Sequence, residues 1–149
     1  MTIVPPENLR PREGIDTAAI IVTFNPEPGH LARQLETLYS QAEIVIADNG
    51  SRGPVRKQVE ASAASVHLIE LQDNLGIAHA QNAGMDYVSQ HLPHCRYVLL
   101  LDHDSLPGEG FVDAMRACYE DLSSREPVAV LGPALFDPRS GKYHGFHLM

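Results

Sequence analysis

The sequence is poor in cysteine, and its two cysteines, Cys95 and Cys118, cannot form the several disulfides that stabilise small secreted domains. Their separation also does not match the paired spacing of a structural zinc site. We therefore interpret them as reduced, mostly buried thiols of a cytoplasmic protein. The chain of 149 residues must instead rely on a hydrophobic core, and that length is enough for one domain with such a core.

Basic residues are also scarce. The chain has 11 lysines and arginines and 19 acidic residues, which gives a net charge of -8. This balance argues against a nucleic-acid partner, which usually requires a basic face. It leaves room for a small phosphate-bearing ligand, because a bound metal ion can attract one to an acidic site. The apolar runs are too short to span a bilayer, and MTIVPPENLRPREG lacks the apolar stretch of a signal peptide. We expect a cytoplasmic protein, with peripheral membrane association left open.

Apolar runs and helical patterns alternate along the chain. Residues 1–16, which are rich in proline, are interpreted as a loose lead-in, and residues 17–149 as one domain. Strands are predicted at 17–25, 43–48, 66–71, 96–102 and 127–133, and helices at 30–41, 54–64, 77–91 and 108–122. This alternation predicts an α/β fold with a mostly parallel sheet and helices on both faces.

Polar residues follow the predicted strands and would meet at one edge of the sheet, where such folds bind ligands. They are Thr23 and Asn25, then Asp48, Asn49 and Ser51, then Asp73, Asn74 and Gly76, and finally Asp102, His103 and Asp104. Each group also has a structural interpretation. The segment 48–51 is typical of a simple turn, and Asn74 with Gly76 is typical of a helix start in which Asn74 is the cap.

The strand YVLLLD ends in a pair of alternating aspartates, Asp102 and Asp104. Alternate residues of an extended chain point the same way, so both carboxylates can face one spot while His103 points away. Close carboxylates repel each other unless a cation lies between them, which suggests a metal site. The alternative is a pair of solvated loop carboxylates. His144 and His147 have loose metal-ligand spacing, but the sequence shows no further partner for them.

The segments IIVTFNP, IVIADNGS, LQDNLGIAHAQNAGM and VLLLDHDS, in this order, resemble the nucleotide-binding half of inverting family 2 glycosyltransferases. Within that family they are most similar to bacterial rhamnosyltransferases, whose usual donor is dTDP-L-rhamnose. The resemblance covers residues 17–136 and implies a GT-A, Rossmann-like fold. It also implies a dTDP-sugar or UDP-sugar donor, a saccharide or lipid-linked acceptor, and a role in polysaccharide biosynthesis.

The resemblance assigns roles to individual residues. Nucleotide-sugar binding is implied for Thr23, Asn25, Asp48, Asn74, Gly76, Ala80, Asn82 and Asp102. Asp104, together with Asp102, would bind Mg²⁺ or Mn²⁺, both of which favour hard oxygen ligands. Asp48 would accept a hydrogen bond from the pyrimidine ring N–H. A carboxylate can accept a hydrogen bond from that imide N–H but cannot pair with another acceptor. Asp48 can therefore select thymine or uracil over cytosine.

The resemblance assigns no catalytic base. Family members are about twice as long, with a donor half and an acceptor half, and place the base in the second half. No acidic residue follows Asp137, so we expect a fold truncated after the fifth strand, with the base beyond Met149. Two alternatives stay open. One is a nucleotide-binding module without turnover. The other is a haloacid dehalogenase-like phosphatase, in which Asp102 is the nucleophile and Asp104 the acid/base. Lys142 is the sole lysine after Asp104, which disfavours this second alternative.

Overall fold

A computed structural model describes residues 1–6, 11–62, 64–137 and 140–144, which form two units, Met1–Glu109 and Gly110–Met149. In the first unit the elements are β1 (Thr2–Val4), β2 (Thr17–Thr23), α1 (Pro28–Leu38), β3 (Glu43–Asp48), α2 (Val55–Glu60), β4 (Val66–Glu70), α3 (Ile77–His91) and β5 (Tyr97–Asp102). The second unit holds α4 (Phe111–Ser123), β6 (Leu135–Asp137) and β7 (Lys142–His144).

The first unit is built on a five-stranded sheet in the order β1-β4-β3-β2-β5. Strands β2, β3, β4 and β5 are parallel, and β1 pairs antiparallel with β4, so the predicted α/β fold with a mostly parallel sheet is confirmed. Thr23 pairs with Asp48, and Val22 pairs with Asp102. Strands β2, β3 and β5 therefore end level with one another and deliver their following loops to the same edge of the sheet.

Helix α3 packs on one face of the sheet. The apolar cluster on this face includes Ile20, Val45, Ala80 and Tyr87. Gly84 allows the close approach of the helix, because a Cβ atom at this position would lie 2.6 Å from Cγ2 of Ile20. A larger residue here would push the helix away from β2.

Helices α1 and α2 belong to the opposite face, where α1 contacts β3 and α2 contacts β4. Side chains alternate along a strand, so Ile21 and Ile46 point away from the α3 face. Both are fully buried, as are Leu31 and Leu35 of α1. The central strands are thus covered on both sides, which explains why they read as continuous apolar runs. Helices on both faces were predicted, and this prediction is confirmed.

Two predictions of where strands lie are wrong. The lead-in contains strand β1, where Thr2 pairs with Glu70 and so satisfies backbone groups along the edge of β4. The fifth predicted strand, over residues 127–133, does not form. Pro127 and Pro133 cannot donate a backbone N–H to a strand ladder, and Val130 between them is 86% exposed. The strands of this region are instead β6 and β7, which pair antiparallel.

The second unit begins with α4, which follows Gly110 in the left-handed conformation at φ +71°. After the helix, the hydroxyl of Tyr119 donates to the carbonyl of Val128 at 3.0 Å and holds the chain against α4. His144 ends β7, whereas His147 lies outside the described residues.

The cysteines differ in their surroundings. Cys95 is half-buried, and burial raises the pKa of its thiol to about 11, so this thiol is protonated at neutral pH. Cys118 is exposed on α4, so the prediction that both thiols are mostly buried is wrong for Cys118. Cys118 lies off the side of α4 that carries Val112, the buried residue of this helix, so its thiol is exposed. In the described part of the chain, no helix combines the length and the hydropathy needed to cross a membrane.

Candidate functional site at the carboxyl edge of the sheet

Asp48 is the most constrained acidic side chain at the carboxyl edge of the sheet. It ends β3 and is 6% exposed. Its Oδ1 accepts hydrogen bonds from the hydroxyls of Thr23 at 2.8 Å and Ser51 at 2.5 Å. Its Oδ2 accepts a longer bond from the backbone N–H of Ser51, at 3.3 Å. The carboxylate orientation is therefore fixed from one side, and Oδ2 keeps lone-pair capacity for a further donor.

Asn25 joins the loop after β2 to the loop after β3. Its φ of +51° lies in the left-handed region, which asparagine tolerates better than most residues. Its N–H donates to Ser51 Oγ at 2.8 Å, and its Oδ1 accepts from the N–H of Arg52 at 2.9 Å. Asn25 therefore connects the loop after β2 to the loop after β3 by two hydrogen bonds next to Asp48.

Asn49 makes the corresponding connection to the loop after β4. Its backbone N–H donates to the carbonyl of Thr23 at 2.8 Å, and its Nδ2 donates to Oδ1 of Asn74 at 3.0 Å. Its own Oδ1 accepts from the N–H of Leu75 at 2.9 Å. We call the loops at residues 24–26, 49–52 and 73–76 the loop cluster. Asn49 is 4% exposed and is the main structural residue of this cluster.

The structure gives Asn74 a different role from that of a helix cap. Helix α3 has Gly76 as its N-cap residue, with no side-chain cap. Oδ1 of Asn74 accepts instead from Asn49 and, at 3.0 Å, from the N–H of Gly76. The cap prediction is therefore wrong, because the oxygen that would cap the helix closes a local turn and joins two loops.

Gly50 lets the loops after β3 and β4 touch. Its φ is +78°, and a Cβ atom would lie 2.6 Å from the carbonyl carbon of Asp73 and 2.8 Å from the nitrogen of Asn74. Both neighbours are backbone atoms, which cannot move aside as a flexible side chain could. Glycine is thus required here by conformation and by space together.

Asp102 and Asp104 lie at and just beyond the end of β5, and both are exposed, whereas His103 between them is half-buried. Within the described residues, neither carboxylate has a hydrogen-bonding or ionic partner. The backbone is better anchored, since the Asp102 carbonyl accepts from Gln34 Nε2 at 2.9 Å and from the N–H of Ser105 at 3.1 Å. The backbone of the pair is therefore held in place, whereas the carboxylate oxygens are free of partners within the described part of the chain.

The free carboxylates fit a divalent cation shared with a phosphate ligand. Among the described residues no group of three or more histidine, cysteine or acidic side chains could hold a metal by itself. Mg²⁺ beside nucleotides is commonly held by one or two carboxylates together with phosphate oxygens, and the Asp102 and Asp104 pair matches that requirement. A cation at this position would be bound jointly by protein and ligand.

Ala80 and Asn82 lie on α3, where the backbone N–H of Ala80 donates to the carbonyl of Gly76 at 3.2 Å. Ala80 is fully buried in the core beneath α3. Asn82 lines a cavity of about 320 Å³ together with Met1, Ile3 and His79. In the described part of the chain, neither side chain takes part in the hydrogen bonds that join the loops. The structure therefore brings together Thr23, Asn25, Asp48 and Asn74, and it adds two residues for which sequence reasoning gave no role, Asn49 and Ser51.

Comparison with known proteins agrees with this architecture. Residues 18–122 match the model of the family described as glycosyl transferase family 2, and the chain belongs to this family. The chain is also similar to the dTDP-rhamnosyl transferase RfbF of Shigella flexneri, with 32% identity over 127 residues. That alignment covers 85% of this chain and 40% of the relative. The resemblance inferred from the sequence motifs is confirmed, and the family differs from that of the haloacid dehalogenase-like phosphatases.

Proposed function

We propose that the chain binds a pyrimidine nucleoside diphosphate sugar, and that it forms the donor-binding part of an inverting glycosyltransferase. The proposed donor is dTDP-L-rhamnose, with a UDP-sugar as the alternative. Family membership supports sugar transfer, and the similar RfbF is a dTDP-rhamnosyl transferase. The observation that carries the proposal is the fixed carboxylate of Asp48 at the ligand-binding edge.

The carboxylate of Asp48 favours binding of a pyrimidine base that carries a ring N–H. Thymine and uracil offer a donor at N3, and an ionised carboxylate can only accept. Cytosine offers a lone pair at the same position and would face the carboxylate with an unpaired acceptor. Leaving a buried polar group unpaired costs about 1–3 kcal/mol, which corresponds to roughly a tenfold to hundredfold loss in affinity. The hydroxyls of Thr23 and Ser51 keep the carboxylate from rotating to avoid the mismatch.

Asp102 and Asp104 would hold Mg²⁺ or Mn²⁺ against the diphosphate of the donor. The cation would offset the negative charge that grows on the departing nucleoside diphosphate. Asp102, at the strand end, would also accept a hydrogen bond from the ribose. The proposed acceptor is a saccharide or a lipid-linked saccharide in polysaccharide biosynthesis, at the inner membrane face or in the cytoplasm.

Calorimetry with dTDP, UDP and CDP tests the donor assignment. We expect dTDP and UDP to bind at least tenfold more tightly than CDP. The Asp48→Asn variant should erode this preference, because an amide can rotate to present a donor to cytosine. Asp86→Asn, on the exposed side of α3, is the matched control and should keep the preference. Equal binding of CDP by the unmutated chain would refute the assignment of Asp48.

A transfer assay separates a transferase from a nucleotide-binding module. Product formation is followed from dTDP-rhamnose with a panel of saccharide and lipid-linked acceptors. Acceptor-dependent rhamnosyl transfer supports the enzymatic function. Because the catalytic base is expected beyond Met149, the assay is run side by side with this chain and with a longer parent chain. Selective dTDP binding without transfer by either chain supports the binding module instead.

A further inference from the structure

Two glutamines hold the backbone on either side of the Asp102 and Asp104 pair. Gln34, in the middle of α1, donates from Nε2 to the carbonyl of Asp102 at 2.9 Å. Gln41, just beyond the C-terminal end of the helix, donates from Nε2 to the carbonyl of Gly108 at 3.2 Å. The segment 102–108 is therefore anchored near both of its ends by side chains of one region of the fold.

Gln34 occupies a position at which an apolar residue would be expected. It is fully buried, and its neighbours on the buried face of α1 are Leu31, Leu35 and Leu38. Its Oε1 is buried and has no partner among the described residues. A buried amide with an unsatisfied oxygen lowers stability relative to an apolar side chain of similar size. Gln34 therefore reduces core stability while it fixes the carbonyl of Asp102.

The carbonyl of Asp102 lies at the start of the turn formed by residues 102–105, which contains both aspartates. It also accepts the N–H of Ser105, and this bond closes the turn that contains Asp104. The carboxylates of Asp102 and Asp104 have no partners of their own among the described residues. Their direction is consequently set by the backbone of the turn, and Gln34 anchors that backbone from inside the core.

We infer that Gln34 and Gln41 are positioning residues. By anchoring the backbone of the turn, they orient the Asp102 and Asp104 carboxylates towards the cation and diphosphate of the donor. This inference rests on the proposed function and extends it to residues that do not touch the ligand. It separates two parts of the site: the glutamines govern the metal-dependent contact, whereas Asp48 governs selection of the base.

The test measures dTDP affinity with Mn²⁺ and with EDTA. Gln34→Met keeps the side-chain volume and removes the donor, and Gln41→Met does the same at a half-buried position. In each variant we expect the gain in affinity from Mn²⁺ to fall at least fivefold, while the preference for dTDP over CDP is retained. Gln58→Met is the matched control, because Gln58 also has a buried Oε1 without a partner among the described residues but lies on α2. It should leave both quantities unchanged.

A double-mutant cycle tests the route of the effect. In an Asp104→Ala background, Gln34→Met should cause no further loss of Mn²⁺-dependent affinity, since both changes act on the same contact. An unchanged Mn²⁺ gain in both glutamine variants would overturn the inference, as would an equal loss with EDTA. Circular dichroism checks folding, and if Gln34→Met does not fold, Gln41→Met decides. Failure of the unmutated chain to prefer dTDP over CDP would instead refute the proposed function.

Discussion

Thr23 and Asp48 are register partners at the ends of adjacent parallel strands, and the buried hydroxyl of Thr23 donates to Oδ1 of Asp48 at 2.8 Å. A valine at position 23 would keep the shape and remove the donor. Because hydrogen bonds to charged groups contribute about 1.5–3 kcal/mol, we expect Thr23→Val to lower the free energy of unfolding by about that amount. Urea denaturation measures it. Thr37→Val, which removes an exposed hydroxyl bond within α1, is the control and should change stability much less.

Gly50→Ala should disrupt the loop cluster. The substitution combines strain from a left-handed φ, which costs about 1–3 kcal/mol, with a backbone clash against Asp73 and Asn74. We expect a loss of stability of at least about 2 kcal/mol in urea denaturation and weaker dTDP binding. Gly53→Ala is the matched control, because a Cβ atom there meets nothing within 4 Å. Equal stability of the two variants would contradict the close approach of the loops.

Divalent metal should strengthen nucleoside diphosphate binding. We expect calorimetry to show tighter dTDP binding with Mn²⁺ or Mg²⁺ than with EDTA. Asp104→Ala should abolish the difference, whereas Asp102→Ala should also weaken binding in EDTA, because it removes the proposed ribose contact. Asp86→Ala, on α3, should behave as the unmutated chain. The same affinity with metal and with EDTA would exclude the metal role.

Acidification should destabilise the fold through His67. This imidazole is 3% exposed, its Nδ1 lies 2.8 Å from the hydroxyl of Tyr87, and burial lowers its pKa from 6.5 to about 4. Between these values the unfolded chain binds a proton that the folded chain does not, so stability falls as the pH drops from 6.5 towards 4. The loss amounts to at most about 3 kcal/mol. Urea denaturation at several pH values measures it.

His67→Gln should flatten that profile, because glutamine does not titrate and can still bond Tyr87. Besides burial, nearby charges change the pKa of His67. The negative charge of Glu43 raises it, and the positive charges of Arg12, His91 and His94 lower it. Burial raises the pKa of Glu43, but the hydrogen bonds and charge of Arg12 outweigh this and hold it below 4.5. Glu43 therefore contributes a separate loss below that pH. A persistent slope between pH 6.5 and 4.5 in the variant would contradict the role of His67.

Elements defined by local periodicity could be predicted from the sequence. The bounds predicted for β3 and α3 coincide with Glu43–Asp48 and Ile77–His91. Parallel pairing then placed the polar strand ends at one edge, which anticipated the closeness of Thr23 and Asp48. Strand β1 was missed because its stability comes from pairing with Val66–Glu70, a contact distant in sequence that leaves no local pattern.

The finer structure of the site could not be predicted, because it depends on which side chains meet across loops. The Asn-Gly signal at positions 49 and 50 indicated a turn but could not show that Asn49 reaches Asn74. Ser51 gave no signal beyond its place in that turn. Gln34 interrupts a leucine face, and this was the one available cue to the anchor of Asp102. The roles assigned to the individual site residues stay predictions.

The hydrogen bonds of Asn25 and Asn49 have a consequence for the thermodynamics of binding. Association usually carries an entropic penalty for ordering loops at the interface. Here the loops after β2, β3 and β4 are already connected by Asn25, Asn49 and Asn74. A nucleotide bound at this edge, as proposed, would meet a preorganised backbone, and most of the conformational entropy lost on binding would then come from the flexible diphosphate and sugar of the ligand.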